Sequence, residues 1–128
     1  ENINKIYKIV IYQRNEDRKF LDLEGVMKHL QITLKSKWSI TVLYHEEKLE
    51  PCLLSAVLGD ADIFLTTHGF QSMAILFMKL GSVIIEVFPY KYWKVGYKPL
   101  SEEMGVHHRW IQNDSPVSSS RDILYFFP

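Results

Sequence analysis

The chain has 128 residues, the length of one domain, and 47% of them are hydrophobic, enough for a real core and far from the disordered class. Fifteen basic residues balance fifteen acidic ones, so nothing in the net charge calls for nucleic acid or an anionic membrane. A single cysteine, Cys52, excludes an intrachain disulfide and a Cys-rich zinc site, and no apolar run reaches the roughly 18 residues that cross a bilayer.

Lys5 to Tyr12, rich in β-branched and aromatic residues, reads as a buried strand, and polar Gln13 to Lys19 as the loop after it. Leu23, Val26, Met27, Leu30 and Leu34 recur at helical spacing, which predicts an amphipathic helix from about Asp22 to Ser36. Ser39 to Tyr44 is a second strand. Glu50 to Leu58 is a short helix, with Pro51 in its first turn and Gly59 at its end. Asp62 to Thr66 forms a third strand, Gly69 to Leu80 a helix apolar nearly all round and therefore buried, and Ser82 to Phe88 a fourth strand. Pro99 to Met104 then gives a short helix and Val106 to Gln112 the last strand.

Strands alternating with helices predict an α/β domain over 1–112, Rossmann-like, with a mostly parallel sheet, helices on both faces and right-handed crossovers. Residues 113–128 read as a Ser-rich linker (Ser115, Ser118, Ser119, Ser120) and the start of a C-terminal segment, Ile123 to Phe127. Because the chain opens on Glu1 and closes on Pro128, it is expected to be a piece of a longer protein.

The chemistry concentrates where the third strand ends, at Thr66-Thr67-His68-Gly69-Phe70-Gln71. A helix opening there leaves free backbone N–H groups and the positive end of its dipole, a seat for an anion such as a diphosphate. Gly69 is expected to turn sharply and to let the backbone approach a ligand closely. Thr67 belongs to that turn, and Gln71 and Ser72 to the first helical turn, where capping alone also accounts for them. His68 suits donation to a phosphate oxygen or a sugar hydroxyl, and equally a structural hydrogen bond. Arg14 and Arg18 flank the end of the first strand at the same sheet edge; two guanidiniums there clamp a diphosphate without metal, unless they are ordinary solvated loop residues. Glu86, a carboxylate in an apolar strand, needs a partner, expected to be a ribose hydroxyl, an arginine or a backbone donor.

Other features carry less. Asp60-Ala61-Asp62 has the look of a manganese-holding triplet but precedes its strand, at the wrong sheet edge. His107 and His108 point to opposite faces of a strand, a poor chelate. Asn113-Asp114-Ser115 fits a glycosylation acceptor but is followed by Pro116. Tyr90, Tyr92, Trp93 and Tyr97 offer a stacking surface for a base or sugar, or for the rest of the protein. No G-x-G-x-x-G follows the first strand, which speaks against a dinucleotide oxidoreductase.

Taken together, Arg14-x-x-x-Arg18, Ala61-Asp62 to His68-Gly69, Leu76 to Pro89 and Glu103-Met104-Gly105-Val106 resemble glycosyltransferase family 61 over residues 6 to 112. The resemblance implies half of a GT-B fold, the C-terminal donor-binding half of an inverting, metal-independent enzyme. Such an enzyme passes a sugar from a UDP-sugar to a protein or polysaccharide hydroxyl in the lumen of the endoplasmic reticulum or Golgi. Arg14 and Arg18 match the family's arginine pair and His68-Gly69 its donor-site turn, whereas the catalytic base is expected in the missing N-terminal domain. The resemblance implies no metal or other cofactor, while the balanced charge and the lack of a long apolar run lead to the expectation of no nucleic-acid partner and no membrane contact from this segment. The chain departs from the family at Asp22 (usually Asn), Phe70 (usually Ala), Met73-Ala74 (usually Thr-Asn) and Lys79-Leu80 (usually Pro-Pro). These departures leave a second expectation, a catalytically inactive nucleotide-sugar or glycan-binding module.

Overall fold

A computed structural model of the chain describes residues 5–15, 18–45 and 50–114. The Ser-rich stretch from Ser115 onward and the apolar run Ile123 to Phe127 lie outside the described residues.

The elements follow one another as strand β1 (Tyr7–Gln13), helix α1 (Leu23–Leu34), strand β2 (Trp38–Tyr44), helix α2 (Pro51–Gly59), strand β3 (Ile63–Thr67), a 3-10 helix (Phe70–Phe77), strand β4 (Val83–Phe88), helix α3 (Lys98–Glu103) and strand β5 (His107–Gln112), with a 3-10 turn at Lys35–Lys37 after α1. The five strands form one sheet in the order β2-β1-β3-β4-β5, and every neighbouring pair is parallel. This is the α/β, Rossmann-like class that the alternating sequence pattern implies.

Local chemistry explains the boundaries. The Asp22 carboxylate caps α1 by accepting from the Gly25 N–H at 2.9 Å. Pro51 sits in the first turn of α2, where its missing N–H is harmless. The stretch expected to form an α-helix from Gly69 is instead a 3-10 helix of eight residues. Ser72 N–H already bonds the Gly69 carbonyl at 3.0 Å, setting the tighter i→i+3 pattern from the first turn. The dipole expected at that corner is correspondingly shorter than an α-helix of twelve residues would give.

A single hand of crossover accounts for the layers. From β1 to β2 the chain moves one way across the sheet, and from β2 onward it moves the other way. The α1 helix therefore covers one face while α2, the 3-10 helix and α3 share the opposite one. The two hydrophobic clusters agree. Ile9, Ile11, Leu65 and Val87 meet Phe20 and Val26 on the α1 face. Val10, Tyr12, Phe64 and Ile84 meet Leu58, Ala74, Ile75 and Val106 on the other. The reversal of direction falls between β1 and β3, and in open α/β sheets the crevice outside the C-terminal strand ends at such a reversal is where ligands bind.

Among the described residues, no helix is long and apolar enough to cross a membrane. Asp60 and Asp62 lie at the sheet edge opposite the crevice. Asp60 pairs with Lys8, and Asp62 holds Lys79 at 2.9 Å and the backbone N–H of Lys8 at 2.8 Å. Lysines neutralise this triplet, and both carboxyls are held below their usual range. For Asp62, burial works against that shift, and hydrogen bonds from Lys79 and Lys8 outweigh it; for Asp60 the hydrogen bond and charge of Lys8 lead.

Candidate functional site

The crevice is built on the last residues of β1 and β3. Beyond β1, the side chain of Gln13 ties off the loop that follows. Its amide donates to the Phe20 carbonyl at 2.7 Å, and its amide oxygen accepts from the Phe20 N–H at 3.0 Å. These reciprocal bonds hold the two ends of a short loop carrying Arg14 and Arg18. Arg18 sits at φ 58°, a left-handed conformation rare for a residue with a side chain.

Both arginines reach the corner after β3. Arg14 Nη1 donates to the Gln71 Oε1 at 3.3 Å, and Arg18 Nη1 to the His68 carbonyl at 3.2 Å. The Arg18 guanidinium also lies over the Tyr92 ring, 5.6 Å from its centroid. Gln71 completes the corner by donating to the Thr67 carbonyl and, at 3.3 Å, to the Thr67 hydroxyl. Thus Arg14, Arg18, Thr67, His68, Gly69 and Gln71 meet at one place, two cations against a turn.

Gly69 differs in its reason from the sequence expectation. Its backbone is extended (φ 165°), open to any residue, so no sharp left-handed turn occurs there. A Cβ at this position would instead press on the Gln71 amide oxygen and lie 2.5 Å from Arg14 Nη1. Glycine is what lets the two side chains close over the backbone. Phe70, where the family usually carries alanine, points outward with 80% of its surface exposed.

Behind the corner stands a buried polar cluster. In the parallel register Thr66 lies beside Glu86 and Ile84 beside His108, so Glu86 and His108 occupy neighbouring strands on the same sheet face. His68 continues β3, its N–H bonding the Val87 carbonyl at 2.8 Å. The Glu86 carboxylate is fully buried and spans the two imidazoles: Oε1 accepts from His68 Nδ1 at 3.1 Å and from Ser72 Oγ at 3.0 Å, and Oε2 from His108 Nε2 at 2.7 Å. Burial alone would raise its pKa, but the hydrogen bonds from His68, His108 and Ser72, with the charge of His68, hold it below the ordinary glutamate value. The Tyr97 hydroxyl is pushed upward by burial and then by the Glu86 charge.

Glu86 therefore meets two imidazoles and a hydroxyl, plus the Tyr97 N–H at 3.5 Å, and no arginine among the described residues. With no exposed surface, Glu86 stands behind the corner, its carboxylate taken up by protein donors. Ser72, also fully buried, gives its hydroxyl to the same cluster. His68 is the hinge between cluster and corner. Its ring stacks on Phe88 (4.7 Å, 22°) and leans against Tyr92 and Tyr97. Gly96 closes over it at φ +60°, where a Cβ would stand 3.0 Å from Glu86 Oε2 and 3.5 Å from His68 Cε1.

Sequence reasoning missed three contributors: Gln13 as the loop tie, His108 as the second imidazole, and Tyr92 as the platform under Arg18. The signals were present, in a glutamine directly before Arg14 and in a histidine pair with one inward-facing member. His107 is exposed while the His108 ring is nearly enclosed, opposite faces as expected for strand neighbours. Among the described residues no group of three or more His, Cys, Asp or Glu side chains is arranged to hold a metal ion. Along the open edge of β5, Lys98, Glu102, His108 and Trp110 help line a groove of about 650 Å³. No protein-family model matches the chain, and a search of curated proteins finds no match.

Proposed function

We propose that this chain is the donor-binding half of an inverting, metal-independent glycosyltransferase that moves a sugar from a UDP-sugar to a protein or polysaccharide hydroxyl. The observation that carries this reading is the meeting of Arg14 and Arg18 with the Thr67–Gln71 turn in the crevice between β1 and β3. Two guanidiniums presented to one opening neutralise a diphosphate with fork geometry, and backbone N–H groups at the start of the 3-10 helix add neutral donors. In catalysis the same groups stabilise the charge that builds on UDP as it leaves, a role metal ions fill elsewhere. Tyr92, under the Arg18 guanidinium, belongs to an aromatic loop with Tyr90, Trp93 and Tyr97 that offers ring faces to a base or sugar. By the family resemblance, an N-terminal domain of the same protein supplies the base and the acceptor site, and the enzyme works in the secretory-pathway lumen.

Calorimetric titration of the full-length protein with UDP tests the reading. Losing a charge-assisted hydrogen bond removes about 1.5–3 kcal/mol, so Arg14→Ala/Arg18→Ala is expected to weaken UDP binding by at least about tenfold. No UDP binding by the full-length protein, or equal binding by the double variant, overturns it.

The exposed phenyl ring of Phe70, next to Gly69 and where the family carries alanine, favours a second reading: a catalytically inactive nucleotide-sugar or glycan-binding module. Slow hydrolysis of a UDP-sugar by the intact protein separates the two, since a binding module releases no sugar.

A further inference from the structure

The carboxylate of Glu86 is bound from both sides, and the consequence reaches the crevice. Oε1 takes His68 and Ser72, Oε2 takes His108 and the Tyr97 N–H, so the group has no freedom to rotate toward other partners. A carboxylate only accepts, so each imidazole carries a proton on the nitrogen that faces it: Nδ1 in His68 and Nε2 in His108. This holds whether either ring is neutral or cationic. What changes with ring charge is the other nitrogen.

In His68 that nitrogen is Nε2. Among the described residues it has no hydrogen-bond partner, and no buried side-chain nitrogen or oxygen without a partner is shut off from solvent. Nε2 thus accounts for part of the 10% of the His68 side chain that stays open. The rest of the ring is enclosed: Phe88 lies on its face, Gly96 comes close to the Cε1–Nδ1 edge, and Tyr92 and Tyr97 flank it. Tyr92 is also the ring that carries the Arg18 guanidinium, and Arg18 bonds the carbonyl of His68 itself. The open nitrogen and the arginine therefore share one neighbourhood.

We propose that Glu86 is a positioning residue that, by holding the Nδ1–H of His68, presents Nε2 to an oxygen of a nucleotide-sugar bound against Arg14 and Arg18. The ligand part of this inference rests on the donor-pocket reading; the hold of Glu86 on His68 does not. A neutral His68 accepts through Nε2 from a ribose or sugar hydroxyl, and a protonated one donates through Nε2 to a phosphate oxygen. Without the carboxylate the ring is free to turn its proton to Nε2 and lose the acceptor. His108 contributes by fixing the far oxygen, while its own Nδ1 faces away from the carboxylate in a residue that lines the β5 groove. The arrangement is the orienting half of a carboxylate–imidazole pair, in which the acid sets the tautomer and does not itself react.

Imidazole nitrogen-15 spectra of the chain, recorded without ligand and then with UDP, test this directly. The expected result is a His68 that carries its proton on Nδ1, with UDP addition moving the Nε2 resonance. In Glu86→Gln, whose amide can donate to the ring, the Nδ1–H form is expected to lose its dominance, with UDP affinity about tenfold lower and unchanged circular dichroism. A His68 protonated at Nε2 in the wild-type chain overturns the proposal, as does a folded Glu86→Gln variant with the tautomer unaltered. If Glu86→Gln does not fold, the wild-type spectra decide alone. An Nδ1–H tautomer in a full-length protein that never binds UDP upholds the hold of Glu86 on His68 and overturns the donor-pocket reading instead.

Discussion

Glu86 is a carboxylate without exposed surface in a strand otherwise made of Val, Ile and Phe, and its four contacts explain why it is tolerated there. Removing one side of a buried, hydrogen-bonded charge cluster is strongly destabilising, so Glu86→Ala is expected to lose about 3–5 kcal/mol in urea unfolding. The sign of the pH effect follows from the depressed carboxyl. The folded protein holds Glu86 ionised more firmly than the unfolded chain does, where the value is about 4.3. The stabilisation is therefore complete above that pH and disappears as pH falls through the lower folded value. Thermal melts of wild type and Glu86→Gln from pH 7 to pH 3 are expected to converge toward acid; parallel curves would show that the carboxylate is not the group responsible. Gly96, with positive φ and a tight fit for a Cβ beside Glu86 and His68, gives a companion case. Gly96→Ala is expected to lose about 1–3 kcal/mol of stability, measured by the same unfolding curves.

At the level of elements, the loop between β1 and α1 is organised by one side chain. Gln13 closes it with two bonds to the backbone of Phe20, while Phe20 itself is anchored in the α1-side core. Neither bond involves an arginine, yet both set where Arg14 and Arg18 begin and end. Gln13→Ala is expected to reduce stability by only about 1–2 kcal/mol, two modest hydrogen bonds, while weakening UDP binding several-fold through loss of loop order. Unfolding and UDP titration of the same preparation check both halves. The 3-10 helix after β3 shows where sequence periodicity misleads. Phe70 to Phe77 is apolar nearly all round, which predicts full burial, yet only Ser72, Ala74 and Ile75 are buried while Phe70 and Leu76 face outward. The difference between three and 3.6 residues per turn was not legible. The reason lies in Ser72, whose N–H bonds Gly69 and whose hydroxyl is drawn to Glu86, and that partner comes from a strand still to come in the chain.

The described residues form one parallel sheet with its reversal point between β1 and β3, clothed by α1 on one face and by α2, the 3-10 helix and α3 on the other. Phe64 lies in the central strand, fully buried against the second layer. Phe64→Ala leaves a cavity between sheet and helices and is expected to cost about 3–5 kcal/mol, read as a lower urea midpoint with little change in slope.

The sequence alone determined the alternation of strands and helices, their boundaries to within a residue or two except in the 3-10 segment, and the parallel sheet. Those properties follow from apolar periodicity, caps and glycine or proline at element ends, all of them local interactions. Local spacing also sufficed to set Arg14, Arg18 and His68-Gly69 at the same sheet edge, because parallel strands bring their C-terminal ends together. The order β2-β1-β3-β4-β5, the partners of Glu86 and the role of Gly69 were decided only by tertiary structure. A carboxylate in a strand finds its partners across the sheet, and His68, Ser72 and His108 stand 18, 14 and 22 residues away from it. No local pattern records which nitrogen will face which oxygen; strand register does.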